Sequence, residues 1–182
     1  MKVLEIGPNG FPSSFQQIAK DVSVACWDTL DIFENPKLTY QKSPEYDFPI
    51  EQDSYDIVLS GSVIEHVKKP WKWVPELARI IKPDGLLVTI GPISWVYHED
   101  PVDCWRIYPE GMKALLEDAG LETVLCCWES LETPGYKNYV PGVSRECRSQ
   151  TKQFLSRFLG MFGFPVERAY DTVSIGRKKS YR

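Results

Sequence analysis

The stretch that decides the fold is Met1-Lys-Val-Leu-Glu-Ile-Gly-Pro-Asn-Gly10. A short apolar run contains one carboxylate, Glu5, and leads to two glycines, Gly7 and Gly10. Glycine lets the backbone turn sharply and lets a ligand approach without meeting a side chain. Such a turn between a strand and a helix is typical of nucleotide-type sites at the carboxyl end of a parallel sheet. The motif Glu-x-Gly-x-x-Gly is weak by itself, so its meaning depends on the chain that follows.

The next segments extend this strand–turn–helix pattern. Ser13 and Gln16 have the spacing of a capping box, which predicts a helix that runs to about Lys20. Residues 22–27 predict a second strand, with Asp28 at its end. An acid at this point, roughly 20 residues after the glycines, is typical of a ribose-binding carboxylate. Asp28 is the first choice for that role, and Asp31 and Glu34 are the alternatives.

Alternating strands and helices continue along the rest of the chain. Apolar runs predict strands, and apolar residues at helical spacing predict helices. The predicted strands are 38–41, 55–60, 86–90, 121–128 and 172–175, and the predicted helices are 70–81, 109–119 and 150–162. This order predicts a three-layer α/β sandwich around a mostly parallel sheet. Residues 130–148 have no periodicity and are predicted to form a long loop.

Composition narrows the class of protein. The 182 residues fit a single domain, and a formal net charge of −4 does not favour a nucleic-acid partner. Five cysteines without Cys-x-x-Cys spacing give no zinc signature. The sequence shows no signal peptide and no apolar run of about 18 residues, so we expect a cytoplasmic protein without membrane segments.

Four blocks then resemble the class I S-adenosylmethionine-dependent methyltransferases, within the methyltransferase type 11-like group. They are Val3-Leu-Glu-Ile-Gly7, Phe48-Pro-Ile-Glu-Gln-Asp-Ser-Tyr-Asp-Ile-Val58, Glu65-His66-Val67 and Glu76-Leu-Ala-Arg-Ile-Ile-Lys-Pro-Asp-Gly85. Each block is weak alone, but their order and spacing are specific. The resemblance covers about residues 1–129 and includes the final strand.

The resemblance implies a Rossmann-like seven-stranded sheet whose last strand is antiparallel and lies between the fifth and sixth strands. It also implies S-adenosylmethionine as the cofactor. The implied cofactor contacts are Glu5, Gly7, Pro8, Asn9, Gly10, Asp28, Thr29, Phe48, Ser60, Gly61 and Ser62. The helix that usually precedes the first strand in this family is missing from this sequence. Residues 130–162, a variable cap-like insertion before the last strand, or a second subunit in a homodimer would then cover the cofactor.

The segment from Trp95 to Gly111 follows the fifth predicted strand, at the sheet edge where ligands bind. It resembles a stretch of methyltransferases that act in glycan and secondary-metabolite pathways. Tyr97, Trp105 and Arg106 are therefore candidate substrate residues. Tyr97 and Trp105 could stack on a ring or merely pack. Arg106 could bind a substrate anion, or it could pair with Asp103 to hold the loop together.

The chain has two histidines, His66 and His98. A hydroxyl acceptor needs a base to remove its proton, and histidine titrates near neutral pH. His98 is the first candidate for this base, with Asp100 or Asp103 to orient its ring. His66 is the rival. Ligand type alone would allow a metal at His98, Asp100 and Asp103, but no specific spacing supports it, so no metal is predicted.

These observations predict methyl transfer from S-adenosylmethionine, most simply to a hydroxyl of a small molecule or glycan precursor. Two alternatives remain open, namely an N-methyltransferase and a cofactor-binding, non-catalytic subunit that needs a partner chain. A dehydrogenase is disfavoured because the Gly-x-Gly-x-x-Gly spacing is absent.

Overall fold

Six strands form one sheet in a computed structural model that describes residues 1–95, 97–99, 101–129, 158, 161–162 and 170–180. The strands are β1 Lys2–Ile6, β2 Cys26–Leu30, β3 Tyr55–Gly61, β4 Ile81–Pro92, β5 Leu121–Glu129 and β6 Asp171–Lys178. Their order across the sheet is β2-β1-β3-β4-β6-β5. The first four strands pair in parallel, and β6 is antiparallel to both of its neighbours, β4 and β5.

This topology confirms the predicted Rossmann-like α/β class. It also confirms that the last strand, β6, is antiparallel and lies between β4 and β5. The described residues contain six strands rather than seven. Residues 38–41, predicted as a strand, make only an isolated parallel bridge between Tyr40 and Leu30. The Tyr40 amide donates to the Thr29 carbonyl and the Asp31 amide to the Tyr40 carbonyl, so the pairing covers a single residue.

The second strand lies further along the chain than predicted. Residues 22–25 precede β2, which begins at Cys26 because Lys2 of β1 pairs with Cys26 in the parallel register. Asp28 is therefore in the middle of the strand and not at its end. Leu30 is the last strand residue, and Asp31 is the first residue beyond it.

Three α-helices are described: α1 Ser14–Ile18, α2 Pro70–Ile80 and α3 Pro109–Asp118. The predicted capping box is present at α1, where the Ser13 hydroxyl accepts from the Gln16 amide and the Gln16 side chain accepts from the Ser13 amide. Proline occupies the first turn of α2 and α3, where its missing donor costs nothing. The α2 helix runs through Pro75 without a break.

The core lies between the sheet and the inner faces of α2 and α3. Trp73, Val74 and Leu77 of α2 and Met112 and Leu116 of α3 are buried there. Trp71, at the start of α2, is half exposed.

The predicted loop 130–148 lies outside the described residues, and so does most of the predicted helix 150–162. The predicted cap, which consists of these two segments, therefore lies almost entirely outside them. In the part of the chain that is described, no helix combines the length and the apolar character needed to cross a bilayer.

Candidate active site

A cavity of about 190 Å³ opens at the carboxyl ends of β1, β2 and β3. This is the sheet edge where parallel α/β folds bind ligands. Its lining is mainly apolar and combines the turn after β1, the residues after β2 and the turn after β3. The lining residues are Ile6, Gly7, Leu30, Asp31, Ile32, Phe33, Glu45, Phe48, Ser62, Val63, His66, Val67, Trp73 and Pro101.

Gly7 forms the floor of the cavity and has a left-handed backbone, with φ +64°. A Cβ atom at this position would lie 2.5 Å from Cγ2 of Val63. The Gly7 amide donates to the Leu30 carbonyl over 2.9 Å, which ties the turn to the end of β2. The glycine therefore meets a conformational and a steric requirement together.

The other residues of the turn support its shape. Glu5 is buried, and its Oε2 accepts from the Ser13 hydroxyl at 2.6 Å and from the Trp27 indole at 2.9 Å. Burial raises the pKa of Glu5, while these two hydrogen bonds oppose the rise. The Asn9 side chain pairs with the Ser14 amide and hydroxyl. Glu5, Pro8, Asn9 and Gly10 do not line the cavity, so their predicted cofactor contacts stay predictions.

Asp28 and Asp31 occupy different environments. Asp28 lies inside the sheet, where Oδ2 accepts from the Tyr55 hydroxyl at 2.8 Å and lies 3.7 Å from Lys2 Nζ. Asp31 lines the cavity, and its Oδ1 accepts from the Phe33 amide at 3.1 Å. The expectation that the strand ends at Asp28 is wrong, and the cavity acid is the alternative, Asp31. Thr29 is also turned away, since its side chain bonds the backbone of Thr39.

The remaining predicted cofactor residues are Phe48 and the segment from Ser60 to Ser62. Phe48 is buried and lines the cavity beside Glu45. Ser60 and Gly61 are the last residues of β3, and Ser60 is buried. Ser62 follows with φ 53° and reaches the cavity, while its amide donates to the Ile90 carbonyl. Of this group, Phe48 and Ser62 are the two that line the cavity.

Hydrogen bonds fasten residues 102–105 to the turn after β3. His66 Nδ1 bonds the Val102 carbonyl, the Cys104 amide donates to the Glu65 carbonyl, and the Trp105 indole donates to the Val67 carbonyl. The segment predicted to face the acceptor is thereby held beside the cavity mouth. The Trp105 ring also meets Trp71 edge to face at 5.9 Å.

The two histidines are in contact. Their ring centres lie 5.0 Å apart at an angle of 88°. His66 lines the cavity, while His98 Nδ1 lies 3.3 Å from Oδ2 of Asp103. The predicted pairing of His98 with Asp103 is therefore present, and Asp100 lies outside the described residues. The general-base role of His98 stays a prediction.

Asp103 is the anchor of this loop. Arg106 Nη1 and Nη2 donate to its two oxygens at 2.5 and 2.7 Å, and the His98 amide donates to Oδ2. The Arg106 guanidinium is the main reason that the pKa of Asp103 falls to about 2. Of the two roles left open for Arg106, the structure shows the pairing with Asp103. Tyr97 is exposed and donates to Glu99.

Glu65 is the site residue that sequence reasoning did not single out. Its side chain is 1% exposed, and Oε2 is without a hydrogen-bond partner among the described residues. Burial is the main reason that its pKa rises to about 7. Its Oε1 lies 3.7 Å from His66 Nε2. The feature of the sequence that could have pointed to Glu65 is its position next to His66. In the structure both residues lie in one three-residue 3₁₀ turn.

Known proteins resemble this chain in sequence and in fold. Residues 19–89 match a family model described as a methyltransferase domain. An uncharacterized methyltransferase from Mycobacteroides abscessus is 36% identical over 55 residues, which cover 30% of this chain and 21% of that protein. One from Mycolicibacterium vanbaalenii is 30% identical over 88 residues, or 45% and 34% of the two chains. The chain thus spans about a third or less of these relatives.

Solved structures share the fold over nearly the whole chain. A candidate methyltransferase from Bacillus halodurans has a TM-score of 0.67 at 17% identity, covering 98% of this chain and 93% of that one. An S-adenosylmethionine-dependent methyltransferase from Archaeoglobus fulgidus has a TM-score of 0.63 at 17% identity, covering 97% and 86%. The family match over residues 19–89 agrees with the resemblance to S-adenosylmethionine-dependent methyltransferases, and the solved structures show that the fold is shared.

Proposed function

We propose that this chain transfers a methyl group from S-adenosylmethionine to a small molecule or glycan precursor. The observation that carries the proposal is the cavity itself, which Gly7 and Asp31 both line at the carboxyl edge of the sheet. A carboxylate suits ribose hydroxyls, an open glycine turn suits the amino-acid portion of the cofactor, and apolar walls suit adenine. The residues present therefore fit the cofactor.

Within this proposal, Asp31 accepts hydrogen bonds from the ribose. Its carboxylate is held in place because the Asp31 amide donates to Tyr40 and its own Oδ1 accepts from the Phe33 amide. Ile32 and Phe33 are exposed side chains of the same wall and would pack on the adenine ring. Phe48 and Glu45 would form the facing wall.

The acceptor would enter beside His66 and the 97–106 segment. Methyl transfer from a sulfonium needs mainly alignment of the acceptor atom, the methyl and the sulfur, because the leaving group is already activated. The hydrogen bonds between the turn after β3 and Val102, Cys104 and Trp105 would hold the loop in position for this alignment. Tyr97 and Trp105 are the proposed ring-binding side chains.

Replacement of Asp31 tests the cofactor site. In Asp31→Asn the affinity for S-adenosylmethionine should fall at least about tenfold, since a hydrogen bond to a charged group contributes about 1.5–3 kcal/mol. Asp28→Asn is the matched control and should stay within about twofold, because Asp28 bonds Tyr55 inside the sheet. Titration calorimetry measures both. Normal affinity in Asp31→Asn with a loss in Asp28→Asn would restore Asp28 as the ribose ligand.

A cofactor-binding subunit that needs a partner is the second candidate. It is favoured by a Haloferax volcanii complex between the Trm112 methyltransferase activator and a candidate methyltransferase, whose fold matches all of this chain with a TM-score of 0.64 at 16% identity and 83% of that chain covered. Under this reading, the isolated chain would fold but transfer no methyl group to hydroxyl or amine acceptors. Product formation by the isolated chain would exclude it.

A further inference from the structure

Glu65, His66 and His98 bring three potential metal ligands together, and His66 lines the cavity. The ligand atoms they can offer all lie within 4.8 Å of one another. We propose that these three side chains bind one divalent transition-metal ion, with zinc as the best match to two imidazoles and a carboxylate. The binding claim stands on the side-chain geometry alone, whereas the role of the metal rests on the proposed methyl transfer.

One nitrogen of His66 is already engaged, and one nitrogen of His98 lies beside a carboxylate. His66 Nδ1 bonds the Val102 carbonyl, and a carbonyl can only accept, so Nδ1 carries the proton and the lone pair is on Nε2. His98 Nδ1 lies 3.3 Å from Oδ2 of Asp103. Metal-binding histidines characteristically give their other nitrogen to a carbonyl or carboxylate in this way.

The spacing of the two rings suits a shared metal. Two imidazoles on a tetrahedral zinc, with Zn–N of about 2.0–2.1 Å, have ring centres about 5 Å apart. The ring centres of His66 and His98 are 5.0 Å apart. The widest separation of ligand atoms, 4.8 Å, exceeds the roughly 3.4 Å of a tetrahedral zinc site, so binding would draw the three side chains together slightly.

The buried carboxyl group of Glu65 supports the metal site independently of the spacing of the two rings. A buried carboxyl oxygen without a partner is costly and is rare in folded proteins. Glu65 Oε2 is such an atom among the described residues, and its other oxygen is 3.7 Å from His66 Nε2. A metal ion would satisfy this carboxylate. Nitrogen donors favour zinc and its neighbours, whereas magnesium and calcium prefer all-oxygen sites.

Three protein ligands leave a fourth position for water or substrate, as in catalytic zinc sites. His66 lines the cavity, so that open position would face the acceptor. A hydroxyl bound there would release its proton to solvent water more readily, because the metal stabilises the alkoxide. The metal would then activate the acceptor without an imidazole base.

Metal titration of the tag-free, chelator-stripped chain tests the proposal. We expect one zinc per chain by calorimetry, and a cobalt form whose visible spectrum lacks a thiolate charge-transfer band. Glu65→Gln, His66→Gln and His98→Gln should each weaken zinc binding at least about tenfold, since even the loss of a group that only orients a metal ligand costs about that much. Glu51→Gln, an exposed carboxylate elsewhere, should leave it unchanged.

Substoichiometric uptake by the wild-type chain, or affinity retained in all three variants, would overturn the site. A thiolate band would assign the metal to cysteine and would overturn it equally. Cooperative thermal unfolding of each variant shows that the fold is intact. Binding of S-adenosylmethionine by the metal-free wild-type chain separates the two proposals, since normal cofactor binding by a wild-type chain that binds no zinc rejects the metal site alone.

Discussion

Gly7→Ala should lower the free energy of unfolding by about 3 kcal/mol. A left-handed backbone costs an alanine about 1–2 kcal/mol, and overpacking a filled site costs about 1–3 kcal/mol more. Both costs apply, because Gly7 has φ +64° and its Cβ would lie 2.5 Å from Val63 Cγ2. Because Gly7 also forms the cavity floor, affinity for S-adenosylmethionine should fall in parallel. Urea unfolding and calorimetry measure the two effects.

Two further variants separate the causes. Gly7→Ala combined with Val63→Ala removes the clash but keeps the backbone strain, so part of the stability lost through Gly7→Ala should return. Gly10→Ala is the matched glycine control, because its Cβ would meet only the Pro12 carbonyl at 3.7 Å, an ordinary contact. It should change stability by less than about 1 kcal/mol. Equal losses at both glycines would contradict the argument.

The sequence predicted the parts of the fold that depend on local pattern. The strand at Tyr55 to Ser60 and the capping box at Ser13 were predicted correctly, because each is marked by a pattern of neighbouring residues in the sequence. The antiparallel final strand followed from the family resemblance. The third predicted strand did not form fully, since a short segment gains strand structure only when a partner offers a matching edge.

The position of β2 could not be predicted because pairing with β1 sets it. Asp28 looks like a strand end by its charge, yet the Tyr55 hydroxyl and Lys2 provide partners for it within the sheet. Tyr55 is 27 residues away in the chain. A contact of this kind leaves no local sequence signal, so the sequence favoured Asp28, whereas Asp31 is the acid of this pair that lines the cavity.

The contact between His66 and His98 is also non-local. It depends on hydrogen bonds that fasten residues 102–105 to the turn after β3. The unsatisfied oxygen of Glu65 is a property of burial and not of spacing. The sequence could therefore nominate each histidine, but it could not show that they share one environment with Glu65.

Arg79→Ala should also destabilise the protein, by about 2–3 kcal/mol. Glu76, 9% exposed, accepts from the Phe48 amide and from Arg79, and Arg79 in turn donates to the Phe48 and Ile50 carbonyls. Removal of a partner from a buried ion pair costs about 3–5 kcal/mol, and the partly exposed guanidinium lowers this figure. The motif Glu-x-x-Arg therefore fastens residues 48–50 to α2.

Lys82→Ala is the matched control, since the Lys82–Asp56 pair is more than a third exposed and should contribute less than about 1 kcal/mol. A double-mutant cycle with Glu76→Gln should give a coupling energy of at least about 1 kcal/mol between Glu76 and Arg79. Because Phe48 forms a wall of the cavity, Arg79→Ala should weaken S-adenosylmethionine binding as well as stability. If Arg79→Ala loses no more stability than Lys82→Ala and keeps normal cofactor affinity, the hydrogen bonds of Arg79 are not needed to hold Phe48 in the cavity wall.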